Sequence, residues 1–154
     1  MKLTHTQNMK ASKSGMTLLE LTVVILVLLS LISILFIGAR AWKRGSDRAA
    51  SVLQIRNCQQ AVRSFANMNG LNPTDGAAAI GLKVVGFTDL PSEIFGTGNF
   101  IENTPIGATH PAGAAEAAYT YGPDAGIAIP AVGVLYVTTT NPEYNPLATD
   151  VTDW

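Results

Sequence analysis

The chain has 154 residues, 47% of them hydrophobic and 14% charged, with a formal net charge of −1. That length admits one modest domain with one core, and the near-neutral balance argues against a polyanionic partner such as nucleic acid. One cysteine, Cys58, excludes an internal disulfide, and with only two histidines, His5 and His110, it supplies no metal cluster.

Residues 1–15 read as a polar, basic leader carrying Lys2, Lys10 and Lys13, and no acid precedes Glu20. Residues 16–37 are then almost wholly apolar, long enough as a helix to cross a hydrocarbon layer about 30 Å thick. In lipid a helix is the one single-segment solution, because every backbone amide must be paired internally. Glu20 interrupts this run. An ionised side chain costs about 2.5–3.5 kcal/mol at the centre of such a helix and less near its end. Such an acid needs either a cationic partner or a route to the headgroups by snorkelling.

Residues 38–69 should continue the helix. They hold no proline, and Gly38 and Gly45 are the places where it could bend. Val52, Ile55, Cys58, Val62 and Phe65 repeat at spacings that put them on one face, so this half is expected to be amphipathic and to pack on the distal domain. Arg48, Gln54, Asn57, Gln60 and Arg63 fall mostly on the other face. Unbroken from Met16 to Asn67, the helix would run about 78 Å at 1.5 Å per residue.

Residues 70–154 change texture. Glycine and proline recur every few residues, as in loops and short strands. Segments 118–121, 126–129 and 132–139 are candidate strands. The "GPDAG" between the first two predicts a hairpin. Residues 91–95 suit a short helix, the tail after Asn141 looks irregular, and Tyr119, Tyr121, Tyr136 and Phe100 are expected to pack under the sheet. From Gly70 onward Lys83 is the sole Lys or Arg, so this half is acidic. The fold expected is α+β: a long N-terminal helix packed on a small antiparallel sheet.

The stretch "SGMTLLELTVVILVLL" resembles the N-terminal signal of type IV pilins and type II secretion pseudopilins. In that family a basic leader ends in glycine, a prepilin peptidase cuts after it and methylates the new N-terminus, and a glutamate stands fifth in the mature chain. Here those positions fall on Gly15, Met16 and Glu20, with Thr17, Leu18 and Leu19 between. Met16 stands where phenylalanine is commoner. The resemblance implies a pilin-like fold and a structural subunit, not an enzyme and without a cofactor; some secretion pseudopilins bind calcium in a distal loop, so that possibility stays open. It implies assembly through the N-terminal helix into a pilus or secretion pseudopilus, with Glu20 meeting the terminal amine of Met16 on a neighbouring subunit. The implied partners are prepilin peptidase, other pilin-like subunits and an inner-membrane assembly platform, and no nucleic acid. The implied placement is a bacterial inner membrane, N-terminus cytoplasmic and distal domain periplasmic. Charge counting does not assign that orientation, because Arg40, Lys43, Arg44 and Arg48 follow the span.

Three other readings compete. "GARAW" offers a conventional signal-peptidase site after Ala41, which would release a soluble exported binding domain beginning at Trp42. The apolar run is longer than the usual 7–15 residues, roughly, of such a signal, and Glu20 lies near its start. A plain single-span anchor that never polymerises would tolerate loss of Glu20. An enzyme finds little support: Asp75, Asp89, Glu93, Glu102 and Asp124 read as turn or solvated acids, His110 before Pro111 as an exposed loop residue, and Cys58 as a buried small hydrophobe. Asn141, Glu143, Asn145, Asp150 and Asp153 offer oxygens of the kind calcium takes, without the spacing of a known calcium loop.

Overall fold

The computed structural model describes residues 17–104, 110–122 and 127–154. Three α-helices precede a two-stranded sheet: α1 (Leu18–Met68), α2 (Ala77–Lys83), α3 (Leu90–Ile94), β1 (Tyr119–Tyr121) and β2 (Val137–Thr139). The chain divides into two compact units, Met1–Arg40 and Ala41–Trp154.

In the first unit every described residue is exposed, and its residues 18–40 are helical. It contains the one helical stretch, among the described residues, long and apolar enough to cross a membrane. Neither Gly38 nor Gly45 interrupts α1.

The second unit holds the core. The helical stripe expected from sequence packs as its spacing requires: Ile55, Cys58, Val62 and Phe65 are buried, and Val52 is half-buried. Ser51, Gln59, Ala61 and Ala66 widen this face. Burial pushes the Cys58 thiol up to about 12, as an apolar setting should. The helix ends in a Schellman turn. Leu71 N–H donates to Ala66 O at 2.8 Å and Gly70 N–H to Asn67 O at 3.4 Å. Gly70 takes the left-handed conformation (φ 61°) that this turn demands, and Leu71 folds back into the core.

Residues 71–104 are more ordered than their glycines and prolines indicate. α2 buries Ile80 and α3 buries Leu90 and Ile94. Asp89 caps α3 by accepting from Ser92 N at 2.8 Å, and Pro91 lies in its first turn, where no amide is missed. Asp75 accepts from Asn72 N at 2.8 Å, and its carboxylate lies 3.6 Å from Lys83. Both acids serve turns, as the sequence reading held.

The sheet departs from the expected hairpin. β1 pairs antiparallel with β2, in the register Tyr119↔Thr139, Thr120↔Thr138 and Tyr121↔Val137. Of segment 126–129, Gly126 and most of the "GPDAG" turn lie outside the described residues, and 127–129 form no strand. The reason lies in the backbone. Ile129 N donates to Asp75 O and its carbonyl accepts from Thr74 N, both at 2.8 Å, so its pairing capacity goes to the loop after α1. The expected strand 132–139 shortens to its last three residues because a turn forms at Ala131–Val134 (Val134 N to Ala131 O, 3.0 Å). Tyr119, Val137 and Thr139 face inward, while Thr120 and Thr138 join hydroxyls at 3.1 Å on the outer face. Tyr136 is fully buried, Tyr121 half-buried, and Phe100 stays 41% exposed, meeting Phe65 edge-on. Three of the four expected aromatics therefore pack beneath the sheet, and Phe100 lies at its margin.

Candidate functional site

Of the three residues singled out for processing and assembly, Gly15 and Met16 lie outside the described residues, and Glu20 sits in the first turn of α1. Its surroundings follow from a four-residue pattern. Thr17-Leu18-Leu19-Glu20 closes a capping box. Thr17 Oγ1 accepts from Glu20 N at 3.2 Å, and Glu20 Oε2 accepts from Thr17 N at 2.8 Å. The Thr17 hydroxyl also lies 3.1 Å from Glu20 Oε2. Leu21 N donates to Thr17 O at 3.2 Å, the first bond of the helix proper.

Two amides that a helix start leaves without partners are thus satisfied. The carboxylate also lies at the N-terminal end of the helix, where the first amides need acceptors. Glu20 therefore has a local structural role as well as any intermolecular one, and Thr17 is the residue whose part the sequence reading missed. The signal was present: a Thr-x-x-Glu preceding an apolar run is a helix-start pattern.

Beyond this turn, as far as Ile37, the exposed surface is mainly hydrocarbon. Leu18, Leu19, Leu26, Leu29, Ile34, Leu35, Phe36 and Ile37 all have more than half their surface open. The polar groups among them are turned inward on the backbone: Thr22, Ser30 and Ser33 donate to Leu19 O, Val27 O and Leu29 O at 2.8–2.9 Å. This hides hydroxyls that would otherwise demand water.

The second unit carries polar clusters that are built for packing. His110 is 1% exposed, which corrects the expectation of an exposed loop histidine. It lies between the rings of Tyr119 and Tyr144, 4.9 Å from each. Its Nδ1 accepts from Ala112 N at 3.1 Å, so the neutral ring carries its proton on Nε2, 3.1 Å from Ser51 Oγ. Burial lowers its pKa, against a smaller opposing pull from Asp47. A hydroxyl and an imidazole at this distance have the chemistry of a nucleophile and base, but Ser51 and His110 are closed to substrate.

Gln59 is buried and joins α1 to the segment just before β2, accepting from Tyr136 N at 2.8 Å and donating to Val134 O at 3.1 Å. Arg63, expected on the polar face, is half-buried and donates to Pro130 O, Ala131 O and Trp154 O at 2.7–3.1 Å. An open groove of about 490 Å³ runs beside it, lined by Arg56, Gln60, Asp153 and Trp154 among others. The tail amides considered as calcium ligands are engaged in turns. Asn145 Oδ1 accepts from Thr139 N at 2.8 Å, and Asn141 Oδ1 accepts from Glu143 N at 3.1 Å. Among the described residues no three His, Cys, Asp or Glu side chains gather where a metal could be held.

No protein-family model, curated protein or solved structure matches this chain.

Proposed function

We propose that the chain is a prepilin-like structural subunit, cut after Gly15 and assembled through α1 into a type IV pilus or a secretion pseudopilus. The observation that carries this reading is the acid in the first turn of an exposed apolar helix, in register with Gly15, Thr17, Leu18 and Leu19.

The physical logic begins with the leader. Before cleavage, residue 16 presents an uncharged amide. Cleavage would leave an ammonium there, one residue from Thr17, whose own amide already points at Glu20 Oε2. The cut therefore supplies the positive charge that a carboxylate in an apolar setting lacks. The same two charges can pair between copies, because Oε1 of Glu20 takes no bond from a described residue. Such a pair would fix the axial stagger between helices whose leucines and valines are otherwise interchangeable. Helices in lipid associate through packing and polar contacts rather than a hydrophobic force, so one charge pair per subunit carries unusual weight.

Mass spectrometry of the mature protein from its native membrane tests this. The expected N-terminus is Met16, methylated. A chain beginning at Trp42 would assign the apolar run to a conventional signal peptide, and an uncut chain would also overturn the proposal. In the same membranes Glu20→Ala should insert normally and fail to polymerise; polymers at wild-type yield would leave only a single-span anchor.

A further inference from the structure

We propose that His110 is an acid-released latch: at neutral pH it holds residues 110–118 against α1, and taking up a proton frees that loop while the core around Ile55–Phe65 stays folded. The device lies within the second unit and holds whether or not the chain is cut or polymerises.

The imidazole sits in a socket built by three separate elements. Ser51 comes from α1, Tyr119 from β1 and Tyr144 from the turn Pro142–Tyr144, and all three are buried. Both ring nitrogens are committed, Nδ1 as acceptor from Ala112 N and Nε2 towards Ser51 Oγ. A second proton would turn the acceptor into a donor facing a donor, in a space closed to solvent. The cheapest relief is to carry the ring out of the socket.

The loop is built to move as a piece. It folds on itself: Gly113 N donates to His110 O at 2.7 Å, and Glu116 N and Ala117 N donate to Gly113 O at 3.0 and 3.3 Å. Towards the end of β2 it is tied by Ala118 N to Thr140 Oγ1 at 3.0 Å and by Asn141 Nδ2 to Glu116 O at 3.4 Å. The bonds that fix α1 to residues 130–136 and 154 come from Gln59 and Arg63. Those residues lie about 12 and 18 Å along the helix from Ser51, so release of the latch leaves them in place.

The charged and titratable groups around the ring are Asp47 on α1 with its partner Lys43, Tyr119, Tyr144, and Glu116 in the loop itself. Asp47 favours an imidazolium, but burial opposes it more strongly, and Lys43 already holds that carboxylate at 2.8 Å. Imidazole is the one side-chain type among them that ordinarily titrates between pH 5 and 7. Opening would uncover Tyr119, Tyr144 and Ser51, an aromatic patch presented only in acid.

Hydrogen exchange of the full chain in detergent, at pH 7.5 and 5.5, tests this, with each rate divided by that of an unstructured chain at the same pH. Amides 112–118 should exchange several-fold faster at pH 5.5. There they should outpace amides 55–66 at least about tenfold and stay indifferent to low urea, which accelerates 55–66. In His110→Gln the acid effect should vanish. Equal rates and equal urea dependence in the two segments would mean that the loop opens only with the whole unit, and would overturn the proposal. So would the absence of an acid effect, or one that survives in His110→Gln. Should that variant fail to fold, the His5→Gln chain, in which His110 is the one histidine, decides by carbon-13 resonance of its imidazole. A midpoint below 6.5 that coincides with the loop's acceleration is expected, and one at or above 6.5 sinks the latch.

Discussion

Glu20 and His110 are both polar side chains in apolar settings, and each is held by local hydrogen bonds. Glu20 accepts from an amide and a hydroxyl of Thr17. For His110 the bonds also bear on its protonation. A second proton on Nδ1 would displace the Ala112 N–H and place a cation among buried rings. Its folded pKa lies below the ordinary 6.5. The folded state therefore binds fewer protons than the unfolded state as pH falls, so the contribution to stability is complete above about pH 6.5 and lost progressively below it. Urea midpoints of the chain in detergent should hold steady between pH 8 and 7 and decline from pH 6.5 to 5. The decline should amount to about 1.4 kcal/mol for each unit of depression. In His110→Gln that decline should largely vanish; an unchanged slope would place the titration on another group.

At the level of elements, legibility followed periodicity. The stripe from Ile55 to Phe65 could be read because a helix repeats its buried face at a fixed spacing whatever lies opposite. The end of α1 near residue 69 was equally local. Strand pairing was not legible, because the partner of a short strand is decided by backbone groups far away in sequence. Ile129 bonds to residues 74–75, and no pattern within 126–129 announces that. Nor did the polar face of α1 announce Gln59 and Arg63, since only the position of residues 130–136 makes them inward. Gln59 gives a direct measure of this tie between α1 and the strand region. Gln59→Leu strands a buried N–H and C=O, so it should cost about 2–4 kcal/mol. The urea midpoint should fall with its slope unchanged, while Gln60→Leu, one residue on and exposed, should stay within about 0.5 kcal/mol. At the head of α1 the partners of Glu20 were legible as a pattern, and what was missed was a known helix-start signal.

For the molecule as a whole, the two units differ in what they ask of their surroundings. Every residue of the core belongs to Ala41–Trp154, and the first unit buries none of its described side chains. A fragment of residues 41–154 should therefore be soluble without detergent and unfold in one cooperative transition. The full chain should need detergent or lipid to stay dispersed. Size-exclusion chromatography and far-ultraviolet circular dichroism, run side by side, check both statements. A fragment that aggregates or lacks helix would mean that the first unit contributes to folding.

The lone thiol offers a way to watch that folding. Cys58 sits on the inward face of α1 with its sulfur shielded and its proton tightly held. A maleimide or aromatic disulfide added to native protein meets neither an open path nor a thiolate, so modification must wait for the helix to lift off the strands. The labelling rate is then a stopwatch for that opening, built into the wild-type sequence and readable without an engineered dye.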